Sequence, residues 1–315
     1  MSHPLHLIAL SIIFSSAALN AQTTWQPSPG HNQIPIWPGT IPDARPTKST
    51  EKVEITGPKD YVAGRSWTSV ENVAIPTMTI YSPAKNNTGA AVVVFPGGGY
   101  EILAIDLEGT EACDWLTSRG ITCVLLKYRV PAPRSAPYWG AYPQSSMALE
   151  DAQRTLGLLR LHAPEYHIDP HKIGVLGFSA GGHLVAAVSV HYPKRIYPHV
   201  DAADDQSCRP DFAIALYPGH LAVGQNRFEL TADIRDRITP QTPPTFLLQN
   251  EDDHVDSVED SLSYFAALKK AGVPTELHVY AKGGHAFGLR RTSSPSTAWP
   301  QLVEAWLNTL GITSQ

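Results

Sequence analysis

The stretch Lys172–Gly182, KIGVLGFSAGG, decides the fold. Its first seven residues form an almost unbroken apolar run, as expected of a strand buried on both faces. A helix pattern follows from about Ala180 to His191. Between them, Gly177-Phe178-Ser179-Ala180-Gly181 has the G-x-S-x-G spacing of a nucleophile elbow, in the strand–turn–helix setting that this spacing requires. A sharp turn there would present Ser179 above the end of the strand. Glycines two positions to either side would let helix and strand pack closely. The helix N-terminus would turn backbone N–H groups toward a developing oxyanion. The alternative is a glycine-rich connection with an incidental serine.

Outward from this stretch, strands and helices alternate. Upstream lie a β-branched run at Ala90–Phe95, helical spacing at Leu107–Arg119, a second buried run at Ile121–Lys127 and a long helix pattern at Ser145–His162. Downstream come strands at Asp211–Tyr217, Thr245–Gln249 and Thr275–Tyr280, with helices at Val258–Ala271 and Trp299–Leu310. This rhythm implies a mainly parallel sheet with helices on both faces and a ligand site beyond the C-terminal strand ends. Asn72–Tyr81 alternates as a strand, and Pro76 suggests an edge position. Residues 22–58, rich in Pro, Gly and Thr, read as an extended arm with at most one short strand, and 59–315 as a single catalytic domain. Tyr192–Pro210 and Pro218–Pro243 lack a strong pattern and are candidate insertions over the active face.

Three further features fall at the ends of predicted strands. Pro96-Gly97-Gly98-Gly99-Tyr100 follows AAVVVF, and its glycines would let the backbone approach a substrate. Gly98 and Gly99 are the candidate oxyanion donors beside the N–H of Ala180. A phosphate loop is the rival, but the G-K-[ST] ending and any G-x-G-x-x-G are missing. Gly283-Gly284-His285-Ala286-Phe287 follows the last strand and supplies His285 as a candidate base. The acid should follow the penultimate strand, where TFLLQNEDDHV offers Asp253, with Asp252 as the alternative through a D-x-x-V alignment to Val255. The chain order is then Ser, Asp, His.

PGGGY, LKYRV, EDAQRTLGLLR, IGVLGFSAGGH and KKAGVPTELHVYAKGGHAFGL together resemble the esterase branch of the α/β-hydrolase superfamily, from roughly Ile34 onward. The nearest group is the acetylxylan-esterase-like bacterial hydrolases, relatives of feruloyl esterases and the hormone-sensitive-lipase family. The resemblance implies an α/β-hydrolase fold without a large lid and a Ser179–His285–Asp253 triad working through an acyl-enzyme without metal or cofactor. It also implies deacetylation of a plant polysaccharide such as xylan, or of its oligosaccharides. By the same resemblance, Arg129 and Asp151 form an ion pair under the active face; two unrelated surface charges are the alternative. The usual HGG before the oxyanion loop is PGG here, so Pro96 contributes no side-chain hydrogen bond.

Tyr100, Tyr138, Trp139, Tyr142, Tyr217 and Phe287 lie in loops at strand ends or beside candidate catalytic residues. Tyr100 and Tyr217 are taken as substrate-binding candidates, with ordinary packing as the alternative. Two rival functions are a peptidase or amidase of the same fold, and a non-catalytic binding protein. The first usually carries an extra filtering domain; the second would be expected to lack a triad member.

Composition sets the outer bounds. The chain has 315 residues, 43% hydrophobic and 17% charged, with a net charge of −5 and no run of Lys or Arg, which argues against nucleic acid as a partner. Leu7–Leu19 has the length of a signal-peptide h-region and Ala21 is a plausible cleavage site, so residues 1–21 are expected to direct export to a periplasm or beyond. A buried N-terminal helix is the alternative. Past this segment no stretch approaches the ~20 apolar residues of a membrane span. Cys113, Cys123 and Cys208 are odd in number and lack metal-type spacing; Cys113 and Cys123 read as small hydrophobes, with one disulfide left open.

Overall fold

Residues 91–95 bury every side chain, and so do those at 122–127, 173–178, 213–216 and 245–250. Such runs have nowhere to sit except inside a sheet covered on both faces. The computed structural model, which describes residues 24–45, 49–131, 133–224 and 227–313, builds that sheet. The expected signal peptide, residues 1–21, lies outside the described residues.

In chain order the elements are β1 (Ile34–Pro35), β2 (Lys52–Ile55), β3 (Thr68–Glu71), β4 (Thr77–Tyr81), β5 (Ala91–Phe95), β6 (Ile102–Ala104), α1 (Glu111–Ser118), β7 (Thr122–Lys127) and α2 (Met147–Leu161). There follow β8 (Ile173–Phe178), α3 (Ala180–His191), β9 (Ala213–Leu216), α4 (Ala232–Arg235), β10 (Thr245–Asn250), α5 (Val258–Lys270), β11 (Thr275–Tyr280) and α6 (Trp299–Thr309). The main sheet has eight strands in the order β1-β4-β7-β5-β8-β9-β10-β11. From β7 to β11 every pairing is parallel, whereas β4 and β1 join antiparallel. The chain steps from β5 outward to β7, then back across to β8. With right-handed crossovers, that reversal sends α1 to one face and α2 and α3 to the other. It also opens a crevice between β5 and β8, where a ligand site is expected.

Of the single strand expected at 72–81, only the part after Pro76 forms, as β4. Pro76 has no N–H to donate, Asn72 takes a φ of 56°, and the part before Pro76 makes one isolated bridge, Val73 to Val130. β3 belongs to a small antiparallel sheet, β2-β3-β6, while β4 enters the main sheet. β4 is nearly an edge, because only two-residue β1 pairs on its outer side. Helical spacing from Leu107 resolves into a π-turn, Asp106–Thr110, leading into α1. Cys113 on α1 and Cys123 on β7 form a disulfide; Cys208 is free and buried.

The arm contributes two short strands, β1 and β2, rather than one, and buried charge anchors it. Trp37 Nε1 donates to Asp151 Oδ1 at 2.8 Å, Arg154 Nε to the Ile36 carbonyl at 2.9 Å and Arg129 Nη1 to the Pro42 carbonyl at 2.6 Å. Arg129 also bonds both Asp151 oxygens through Nε (3.0 and 2.9 Å) and Glu150 at 2.7 Å, so this pair is a buried cluster, not two surface charges. Crowding by burial lifts the Glu150 carboxyl to about 7 despite the guanidinium beside it. Tyr192–Pro210 does not cover the active face. It packs back on α2, where Arg154 binds Asp201 and Asp204 and Arg195 Nη1 donates to the Gln153 carbonyl.

Replacing Trp37 by Phe keeps an apolar ring but removes one donor from the buried Asp151 carboxylate. A hydrogen bond to a charged group contributes about 1.5–3 kcal/mol, so urea unfolding of Trp37→Phe is expected to show a loss of that size.

Candidate active site

Ser179 sits between β8 and α3 with φ 53° and ψ −120°, a conformation that an L-residue adopts only where surroundings enforce it. The enforcement is close packing. A Cβ at Gly177 would meet the Gly181 carbonyl, and one at Gly181 would meet the Phe95 carbonyl of β5. Glycine at both positions therefore lets α3 settle against β8 and β5 and hold the turn. Tyr100, Tyr217, His220 and Ala286 also carry positive φ, so strained backbone gathers around this one region.

His285 Nε2 lies 2.9 Å from Ser179 Oγ, and His285 Nδ1 lies 2.6 Å from Asp253 Oδ2. Of the two adjacent aspartates, Asp253 is the one that reaches the imidazole. Its Oδ1 accepts from the Val255 and Asp256 N–H groups at 2.9 and 3.0 Å, which fixes the carboxylate. Asp252 does something else: its Oδ1 accepts from Gly283 N and Gly284 N, both at 2.9 Å, and so anchors the loop that carries His285. Those backbone bonds, Gly284's above all, hold the Asp252 carboxyl below its ordinary value. Burial alone would push the His285 pKa down. The hydrogen bond and charge of Asp253, with the charges of Asp256 and Glu108, more than reverse this, and the imidazole ends above its ordinary value.

Gly98 takes a φ of 131° and Gly99 one of 62°; a Cβ on Gly98 would strike the Ile102 carbonyl. The turn is held from behind: Glu101 and Ile102 N–H groups donate to Gly98 O, and Ala104 N donates to Gly97 O. Among the described residues, no protein group accepts from the N–H of Gly98, Gly99 or Ala180. Gly98, Gly99 and Ser179 line one cavity of about 560 Å3, together with Trp67, Trp139, His220, Asp256 and His285. No group of three His, Cys, Asp or Glu side chains among the described residues is placed to hold a metal ion.

Tyr100 and Tyr217 are not where substrate contact would put them. Both are buried and neither lines the cavity. Tyr100 OH bonds His183 Nδ1 at 2.8 Å behind the elbow, where burial drives the His183 pKa down to about 3. Tyr217 OH donates to Glu108 Oε1 at 2.9 Å and accepts from Gly288 N at 3.0 Å, while its ring packs edge-on against His285. Phe287 is buried too, against Tyr217; of the other loop aromatics, Trp139 lines the cavity.

Two acids here escape sequence reading. Glu108, fully buried, accepts from Gly97 N at 2.8 Å, and burial raises its pKa. Its position near the start of a helix pattern suggests only a favourable dipole contact. Asp256 Oδ2 lies 3.2 Å from Ser179 Oγ and 3.6 Å from His285 Nε2, and burial raises its pKa as well. Three residues beyond Asp253 in an acidic run, it carries no distinguishing mark in sequence.

Comparison with known proteins agrees with this architecture. Residues 92–289 match the family described as the alpha/beta hydrolase fold. The chain belongs to that family. An acetylxylan esterase of Xylanibacter ruminicola is 29% identical over 216 residues, covering 65% of this chain and 42% of the relative. Endo-1,4-beta-xylanase B of Butyrivibrio fibrisolvens is 30% identical over 226 residues, covering 67% and 34%. The chain thus spans less than half the length of either. Among solved structures, an acetyl ester-xyloside bifunctional hydrolase from Caldicellulosiruptor lactoaceticus superposes with a TM-score of 0.70 at 30% identity, covering 90% of this chain and 97% of that one.

A negative charge on Asp256 beside His285 raises the imidazole pKa, so removing that carboxylate is expected to lower it. Following the His285 ring by NMR through a pH titration, Asp256→Asn is expected to titrate at lower pH than the parent protein. An unchanged or higher midpoint would mean that Asp256 carries no charge there.

Proposed function

We propose that the protein is a serine carboxylic-ester hydrolase with Ser179 as nucleophile, His285 as base and Asp253 as the acid that orients it. The observation that carries this is the continuous relay Ser179 Oγ–His285 Nε2 (2.9 Å) and His285 Nδ1–Asp253 Oδ2 (2.6 Å) at the floor of an open cavity. Ser179 attacks the ester carbonyl while His285 takes its proton; Asp253 keeps the imidazole in the tautomer whose Nε2 is free and stabilises the imidazolium that forms. The N–H groups of Gly98, Gly99 and Ala180, which have no acceptor of their own among the described residues, receive the oxyanion. His285 then protonates the leaving alcohol, and water releases the acyl group by the same route.

The substrate we infer is an acetylated plant polysaccharide such as xylan, or its oligosaccharides. Support comes from the acetylxylan esterase and the acetyl ester-xyloside hydrolase that the chain resembles, and from Trp67 and Trp139 at the cavity, whose rings can stack on sugars. Export to an oxidising compartment is part of the same reading, and the Cys113–Cys123 disulfide supports it.

Ser179→Ala is expected to abolish both labelling by a fluorophosphonate and turnover of 4-nitrophenyl acetate, and Asp253→Asn to reduce turnover by about 10^4-fold. Wild-type protein that neither labels nor turns over would refute the enzyme reading. Acetate release from acetylated xylan, set against acetylated sugars of other kinds, tests the substrate. Activity requires neutral His285, whose pKa is raised, so kcat/KM should fall as pH drops through a midpoint above the ordinary imidazole value.

A further inference from the structure

Asp256 stands out among the groups around Ser179 because the proposed mechanism gives it nothing to do. Its side chain is only 12% exposed, yet Ser179 Oγ is the one donor among the described residues that bonds its carboxylate. A buried carboxylate can accept several hydrogen bonds and is costly to leave under-satisfied. Gly219 beside it leaves the space: a Cβ there would collide with the Asp256 carboxylate. Asp256 Oδ2 is also 3.6 Å from His285 Nε2, the atom that hands a proton to the leaving oxygen. The carboxylate therefore faces the alcohol half of an ester, while the oxyanion's charge goes to N–H donors.

Resting on the ester-hydrolase reading above, we propose that Asp256 is a specificity-determining residue that selects esters of polyols: its carboxylate accepts a hydrogen bond from a free hydroxyl on the carbon next to the ester-bearing one. The single hydroxyl hydrogen of Ser179 has two acceptors, His285 Nε2 at 2.9 Å and Asp256 Oδ2 at 3.2 Å. Only the first is productive. A substrate hydroxyl that donates to Asp256 takes up part of its charge, weakens it as a competing acceptor and favours donation of the Ser179 proton to His285. An ester whose alcohol has no such hydroxyl leaves the competition in place and buries the carboxylate with Ser179 as its one donor among the described residues. Both effects favour the partly acylated diol, the arrangement found on any sugar ring acetylated at one of two neighbouring positions.

Two small esters isolate this contact. 2-Hydroxyethyl acetate and 2-methoxyethyl acetate have similar leaving groups, and only the first can donate. The wild-type protein is expected to favour the hydroxy ester in kcat/KM by about tenfold or more, the scale of a hydrogen bond to a charged acceptor. In Asp256→Ala the preference should shrink to within about twofold, and Asp256→Asn, which keeps the volume and a weaker acceptor, should fall between. If Asp256→Ala does not fold, as judged by circular dichroism, Asp256→Asn decides, since its preference must drop below the wild-type ratio. A wild-type ratio near one, or a ratio that stays at the wild-type level in either folded variant, overturns the proposal. Ser179-dependent hydrolysis of both esters with no hydroxyl preference defeats the Asp256 proposal alone. No hydrolysis of either ester, or of 4-nitrophenyl acetate, defeats the ester-hydrolase reading beneath it.

Discussion

The close approach of α3 to the ends of β5 and β8 is the constraint on which the rest of the site depends. Gly181 lies so near the Phe95 carbonyl that no side chain fits between them, and Gly177 lies equally near Gly181. That contact brings the end of β5, the start of the glycine loop and the helix N-terminus to one place. The crevice between the two strands exists because the sheet order reverses there, and the glycines make it narrow enough for backbone N–H groups from both sides to converge. An alanine at Gly177 or Gly181 would force apart elements whose separation sets the geometry of everything above them.

A second layer of control runs through buried polar groups. Glu108 grips Gly97 N with one oxygen and receives the Tyr217 hydroxyl on the other, and Tyr217 in turn receives Gly288 N. The loop after β5, the end of β9 and the loop after β11 are thereby tied together beneath the cavity. Asp252 adds a parallel tie between the turn after β10 and the glycines before His285. These contacts are short, buried and mutually supporting, so they fix loop positions where apolar packing alone would leave them loosely specified.

How much of this the sequence reveals follows from where the information lies. The parallel core is legible because uninterrupted apolar runs have few other uses, and the meeting of the loops that carry Ser179, Asp253 and His285 is legible because glycine signatures and chain order mark them. Asp253 against Asp252 is settled only in space, since side-chain direction decides which carboxylate meets the imidazole. Tyr100 and Tyr217 mislead because an aromatic residue at a strand end looks the same whether it faces a cavity or the core. Glu108 and Asp256 are invisible for the converse reason. An acid in a helix-forming or acidic stretch reads as solvated until the fold turns it inward. Pro76 is legible as the mark of an edge position, but not as the point before which the expected strand fails to form.

The docked arm also constrains the order in which the chain can acquire its structure. Trp37 and Ile36 sit against Asp151 and Arg154, and Arg154 is neutralised by Asp201 and Asp204. None of these buried charges is satisfied until segments far apart in sequence have met, and closing so long a loop carries an entropic cost before any contact repays it. β1 must likewise wait for β4, and β2 for β3, which itself waits for β6 beside the glycine loop. During synthesis, then, the earliest described residues to leave the ribosome are expected to be among the last to find their places, with the body of the sheet assembling first as the template that receives them.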